Sequence, residues 1–242
     1  MSINTNTPPV VDRGAWLKER KALLAREKAH TREGDAISAA RRRLPMTEVE
    51  SVELIGPNGA TSLLDLFQDH DELIVYKHMF HTGQPFESQC EGCTLSIWHT
   101  HDAAYLDARG VAFAVVAEGP WDEVAQFVDF MGYTVPWYSA YGVEDPVFAD
   151  GYGTLLCFLR VGDRVFLTNE VTDRGVEAIM VPLKLMDLTV YGRKEPWEDS
   201  PEGWPKAPQA YWFWRKDGRP VPQWERPGVT PVIGQDGDHS DH

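Results

Sequence analysis

The chain has 242 residues, 43% of them hydrophobic and 25% charged, with a net charge of −14. That is ordinary soluble-domain composition with room for a sizeable core, and its acidity excludes a general nucleic-acid binder. No run approaches 18 apolar residues, so no membrane span is expected, and three cysteines do not make a disulfide scaffold.

In chain order, Met1 to Val11 is polar, contains proline and lacks a basic stretch before an apolar one. It reads as an extended or disordered start, not a signal peptide, and the expected compartment is a reducing cytoplasm. Asp12 to Leu44 is a strong helix former ended by Pro45. Its segment Asp12–Arg43 holds ten Lys/Arg against five Asp/Glu, a local +5 that leaves about −19 elsewhere. Trp16, Leu17, Ala22, Leu23 and Leu24 give it a sticky face. Packing on its own acidic body is the first expectation, a dimerisation arm the second.

Glu48 to Leu54 alternates weakly as a strand. Gly56-Pro57-Asn58-Gly59 is a turn, and Thr61 to Phe67 opens with capping residues and predicts a short helical turn. Leu73 to Phe80 reads as a buried strand rich in β-branched and aromatic residues. A loop, His81–Gln89, leads to Cys90-Glu91-Gly92-Cys93. A helix is expected over Thr94–Ala108, closed by Gly110. Val111–Ala117 is a second apolar strand, Asp122–Met131 a helix ended by Gly132, and Val135–Ser139 a brief extended segment. Thr154–Arg160 and Arg164–Thr168 form a hairpin about Gly162-Asp163, and Val176–Met186 the last core helix. From Leu188 onward lie five of the nine tryptophans and eight of the seventeen prolines. This predicts an irregular wrap with aromatic anchors, while 234–242 reads as disordered. The expected organisation is a helical extension (1–45), an α/β domain with a mixed sheet and helices on both faces (46–190), and a Trp/Pro-rich segment (191–242).

The chemistry centres on Cys90 and Cys93. Two cysteines three apart between a buried strand and a helix are the setting of a redox dithiol, because the helix N-terminus favours the thiolate. Cys90, nearer the loop, is the candidate attacking sulfur and Cys93 the resolving one. Glu91, a like charge to a thiolate, is expected to oppose a very low thiolate pKa and so favour a neutral or reducing poise. The leading expectation is therefore a thiol-dependent oxidoreductase that needs no cofactor and acts on a small thiol, disulfide or peroxide. The alternative is a copper or zinc site from Cys90, Cys93 and His78 or His81, since thiolates with imidazoles suit those metals. His99 and His101, placed on the following helix, are not aimed at the pair. Cys157 reads as a small buried hydrophobe, and Trp98, Trp137 and Tyr138 as core or pocket wall. Expected partners are that small substrate and a second copy through the N-terminal helix or the aromatic tail. A third reading is a non-catalytic module whose tail binds a partner.

The order of elements resembles the thioredoxin-like fold, and Gly59-Ala-Thr-Ser-Leu-Leu-Asp-Leu-Phe67 resembles the lead-in of the peroxiredoxin branch. More closely, the chain resembles the bacterial thioredoxin-like family catalogued as domain of unknown function 899. The resemblance rests on Trp16-Leu-Lys-Glu-Arg-Lys-Ala-Leu-Leu24, Leu73-Ile-Val-Tyr76, Met79-Phe80, Cys90-x-x-Cys93, Trp137-Tyr-Ser139, Gly162-Asp-Arg-Val-Phe166, Arg174-Gly-Val176 and Tyr191-Gly-Arg193. It implies the fold and a redox role, and the family shares Arg174, which reads as structural or else as a group that steadies an anion. Two departures stand out. The peroxiredoxin Pro-x-x-x-Thr-x-x-Cys pattern fits neither cysteine: Glu87 and Gly83 precede Cys90, and Cys90 and Phe86 precede Cys93, at the Thr and Pro places. Gly153 also stands where thioredoxins carry a cis-proline. Copper-delivery proteins on this fold use a cysteine pair plus one histidine, so the resemblance leaves the metal alternative open.

Overall fold

A computed structural model describes residues 7–216 and 219–224. The N-terminal helix α1 (Arg13–Arg41) starts at Asp12, whose carboxylate accepts the Ala15 N–H at 2.9 Å. None of its residues is buried, and Trp16, Leu17, Leu23 and Ile37 are each nearly half exposed. The expected packing of this arm on its own body is thus corrected. Its apolar residues are spread over a broad arc, interrupted by the Arg20–Glu27 ion pair, and make no continuous seam.

Next come β1 (Thr47–Val49), β2 (Glu53–Gly56) and β3 (Gly59–Ser62), followed by a 3-10 turn, Leu63–Phe67. Ser62 and Asp65 form a reciprocal capping box there, as the capping residues predicted. The expected single strand Glu48–Leu54 is two strands. β1 pairs with the far side of the sheet while β2 pairs with the near side, so three residues, Glu50–Val52, cross between them. That link reaches about 14 Å at most, which requires the sheet to curl.

The core is β4 (Glu72–His78), α2 (Glu91–Trp98), α3 (Ala104–Asp107), β5 (Val111–Ala117), α4 (Trp121–Met131), β6 (Trp137–Ser139), α5 (Pro146–Ala149) and the hairpin β7 (Thr154–Val161)–β8 (Arg164–Val171). The strand order is β1-β8-β7-β4-β5-β6-β2-β3. β4 runs parallel to β5, in register from Glu72 opposite Val111 to His78 opposite Ala117, and antiparallel to β7. A parallel β–α–β unit beside an antiparallel hairpin is the thioredoxin-like arrangement. The period-2 pleat sorts each central strand between two cores. Leu73 and Val75 join Ala112, Ala114, Val116, Leu156 and Phe158 on one face. Ile74 and Tyr76 join Phe113, Val115, Ala117, Cys93 and Phe127 on the other, beneath α2 and α4.

Two expected helices are broken. Thr94–Ala108 stops at Trp98, and Asp102 restarts α3 by accepting the Ala104 N–H at 2.7 Å. Thr100 and Asp102 are poor interior helix residues with local hydrogen-bonding alternatives. His99 and His101 therefore lie in the break and not on a helix. Val176–Met186 divides into a 3-10 segment, Asp173–Ile179, and α6 (Val181–Met186), because Pro182 supplies no N–H. The described tail adds a 3-10 turn (Trp212–Trp214), β9 (Arg215–Lys216), β10 (Arg219–Pro220) and α7 (Val221–Trp224). Residues 234–242 lie outside the described residues. No described helix is long and apolar enough to cross a membrane.

Candidate functional site

The site starts where β4 ends. The loop after it is fastened by Gln89, which is buried. Its amide oxygen accepts the His81 N–H at 2.8 Å and its NH2 donates to the His81 carbonyl at 2.9 Å. This clamp sets the residue just before Cys90. Cys90 is the N-cap of α2, and its sulfur lies 3.5 Å from the Cys93 N–H. Its carbonyl accepts both the N–H (2.9 Å) and the hydroxyl (2.8 Å) of Thr94. The cysteines therefore occupy the first turn of a helix, with unpaired amide groups directed at the outer sulfur.

The two sulfurs are unequal. Cys90 is half-buried and Cys93 is buried. The Cys90 thiol is held below the ordinary thiol range, chiefly by a hydrogen bond from the Cys93 thiol. Burial opposes this, and the N–H groups of Cys93 and Gly92 add to it. Cys93 is pushed well up by giving that hydrogen bond, by burial and by the charge on Cys90. The Tyr76 hydroxyl and the Met79 N–H pull it the other way. One poised sulfur outside and one protonated sulfur beneath is the division expected of an attacking and a resolving thiol.

Glu91 behaves differently from expectation. Its charge does oppose the Cys90 thiolate, but as the weakest of these influences. The carboxylate is also paired: the Arg215 guanidinium binds it at 2.7–3.1 Å through both Nε and Nη2. The ion pair is nearly shut off from solvent, at 13% and 12% side-chain exposure.

Arg215 belongs to the tail, which lies over the motif. A Cβ on Gly92 would come within 3.2 Å of the Trp214 ring, so the tryptophan packs closely on the glycine between Glu91 and Cys93, and a side chain there would push the ring back by a few tenths of an ångström. Trp214 is stacked on Tyr211 at 5.2 Å. The Gln223 amide donates to the Gln89 carbonyl at 2.8 Å and the Phe86 carbonyl at 3.4 Å. The expected aromatic wrap is thus present as a strap anchored on the cysteine loop. Upstream, Arg193 is buried and pairs bidentately with Glu177 (2.9 Å) and with Asp187 (2.7 and 2.8 Å). Arg174 pairs with Glu177 and covers the Trp197 ring at 4.3 Å, the structural part expected of it.

The histidines do not gather. His78 faces the aromatic layer, fully buried, with ring centroids 5.0 Å from Trp137 and 5.8 Å from Phe127. His81 is fastened through its backbone to Gln89. His101 packs on Trp98 at 4.6 Å. Among the described residues no three His, Cys, Asp or Glu side chains come together as a metal set. Cys157 is half-buried, more open than its reading as a core residue. Gly153 has φ +84° and donates to the Lys77 carbonyl at 2.7 Å, and no cis peptide precedes β7. Trp137 and Tyr138 are core and half-buried wall respectively.

Four site residues escape sequence reasoning: Tyr76, Gln89, Trp214 and Arg215. Tyr76 looks like any strand aromatic, and the others act through contacts that spacing does not encode.

No curated protein matches the sequence. Among solved structures it is similar to the peroxidoxin BcpB from Mycobacterium tuberculosis, at 18% identity and a TM-score of 0.41, covering 58% of this chain and 96% of that one. It is also similar to peroxiredoxin Q from Xanthomonas campestris, at 17% identity and a TM-score of 0.35, covering 55% and 90%. A third is a secreted Mycobacterium tuberculosis disulfide oxidoreductase homologous to E. coli DsbE, at 12% identity and a TM-score of 0.35, covering 54% and 92%. Residues 5–218 match the family described as bacterial protein of unknown function, DUF899. The chain is a member of that family.

Proposed function

We propose that this protein is a thiol–disulfide oxidoreductase working through Cys90 and Cys93. The observation that carries the reading is their inequality at one helix N-terminus: a half-buried sulfur favoured as thiolate, above a buried sulfur that keeps its proton. In the reducing direction, the Cys90 thiolate attacks one sulfur of a substrate disulfide. The substrate S–S bond breaks, its other sulfur leaves as a thiolate, and a mixed disulfide forms at Cys90. Cys93 then loses its proton and attacks Cys90 Sγ. The second substrate sulfur leaves, takes up a proton, and Cys90 and Cys93 are left joined as a disulfide. A dithiol reductant reverses the change in the protein. With a peroxide the first product would instead be a sulfenic acid on Cys90, resolved by Cys93 with loss of water.

The test compares wild type with Cys90→Ser and Cys93→Ser in dithiothreitol-driven insulin reduction. Serine caps a helix N-terminus well, so Cys90→Ser keeps α2. The expected result is activity in wild type, none in Cys90→Ser, and a trapped mixed disulfide in Cys93→Ser. Equal activity in all three overturns the proposal. Parallel reactions with hydrogen peroxide decide between the two substrate classes.

A further inference from the structure

Resolution poses a physical problem here. Cys93 must give up its proton to attack, yet it is buried beneath Cys90 in an apolar layer with Phe80, Phe127 and Tyr133. A bare thiolate in such surroundings is costly.

Tyr76 is the group placed to answer this. It lies on β4 facing the same layer and is 1% exposed. Its hydroxyl donates to Ser96 Oγ at 3.2 Å, and Cys93, in the same buried layer, is influenced by the phenol as a hydrogen-bond donor. Cys93 and Ser96 are three apart on the buried side of α2, so both present their side chains to the one phenol. Ser96 in turn donates to the Gly92 carbonyl at 2.8 Å. Burial and the neighbouring cysteines push the Tyr76 ionisation well up, so the phenol keeps its proton throughout the working pH range.

Resting on the dithiol reading above, we infer that Tyr76 is a catalytic hydrogen-bond donor for the resolving step: its single proton rests on Ser96 while Cys93 is a thiol and turns to Cys93 Sγ when the thiolate forms. No proton is transferred from Tyr76. The Cys93 proton passes to the substrate thiolate already released by the Cys90 attack, and the phenol stabilises the negative sulfur between loss of that proton and formation of the Cys90–Cys93 bond. Tyr76 plays no part in the first attack, which occurs at Cys90.

One equivalent of Ellman's reagent separates the two steps. The reduced full chain in a Cys157→Ser background is mixed with it in a stopped flow, and thionitrobenzoate release is followed. Attack by Cys90 releases the first thionitrobenzoate and resolution by Cys93 the second. For Tyr76→Phe the first phase stays within about twofold of wild type. The second slows about ten- to a hundredfold, the worth of one hydrogen bond to a charged group, and the mixed disulfide accumulates by mass spectrometry. Ser96→Ala, which frees the phenol for the sulfur, speeds the second phase. An unchanged second phase in Tyr76→Phe, or equal slowing of both phases, overturns the inference. So does an unchanged or slower second phase in Ser96→Ala, the outcome that decides if Tyr76→Phe does not fold. A parent protein that never releases the second thionitrobenzoate defeats the dithiol reading itself, a distinguishable failure.

Discussion

Arg215 closes on Glu91, the residue that follows the first cysteine, across 124 positions of sequence, with the guanidinium and carboxylate 2.7 Å apart at their closest. The pair has two consequences. It fastens the strap over the cysteines, together with Trp214 on Gly92 and Gln223 on the loop carbonyls. It also neutralises the one charge in the motif that works against the Cys90 thiolate. Access to the sulfur and its acidity are thereby linked through one side chain.

Arg215→Ala should move these two properties in opposite directions. With the anchor gone, the rate constant for alkylation of fully ionised Cys90 by iodoacetamide should rise severalfold. With the Glu91 charge unopposed, the pH at which Cys90 becomes half reactive should rise. A pH series of alkylation rates followed by peptide mass spectrometry reads both. Faster alkylation at high pH with an upward-shifted midpoint is the expected result.

The Cys93 thiol is the strongest influence holding Cys90 down. Wild-type Cys90 should therefore alkylate with a midpoint below about 8.5, the ordinary thiol value. Cys93→Ala should raise the midpoint. Cys93→Ser, which keeps a hydroxyl donor in place, should raise it less. The same alkylation series measures all three.

The elements most visible in sequence were those whose local pattern and tertiary role agree. Leu73–Tyr76 and Val111–Ala117 are apolar throughout because both faces of the sheet are covered, and both lie in the expected strands. Gly162-Asp163 turns the expected hairpin. The Cys90-x-x-Cys93 motif lies at the predicted helix start. What escaped depended on distance. Nothing in Glu48–Leu54 tells that the chain leaves one side of the sheet for the other at Glu50. Trp16, Leu17 and Leu23 look like a packing face but stay nearly half exposed. Glu91 read alone is an unfavourable neighbour for a thiolate, and only the fold brings Arg215 to it.

The Arg193 cluster should govern acid stability. Burial alone would raise the Glu177 pKa, but Arg193 and Arg174 hold it at about 2. A carboxylate depressed in the folded state from about 4.3 in the unfolded chain contributes stability that is complete above that value. The contribution is lost as pH falls toward 2. Glu177→Gln should flatten this part of a denaturation-versus-pH curve. Arg193→Met at neutral pH leaves Glu177 buried without its main partner and should cost about 3–5 kcal/mol in urea unfolding.

His78 makes a separate prediction. Burial lowers its pKa to about 3, and neither ring nitrogen reaches a partner at normal geometry, the only polar groups favouring its charge being the backbones of Met79 and His78 itself. The unfolded chain takes up a proton near pH 6.5 that the folded one refuses, so stability falls as pH drops from about 6.5 toward 3. His78→Phe should remove that slope. Because it replaces an unpaired buried polar ring by an apolar one, it should leave the thermal midpoint at pH 7 unchanged or higher.

The central claim is that Cys90 and Cys93 exchange between dithiol and disulfide, and a redox titration tests it most directly. The Cys157→Ser protein is equilibrated in buffers of reduced and oxidised dithiothreitol or glutathione, the remaining thiols are alkylated, and the peptide spanning both cysteines is weighed. The account predicts a single two-electron transition, in which both alkyl labels disappear together and the peptide loses two hydrogens. Labels retained on both cysteines under the most oxidising buffer, or lost one at a time to glutathione adducts with no internal disulfide, would contradict it.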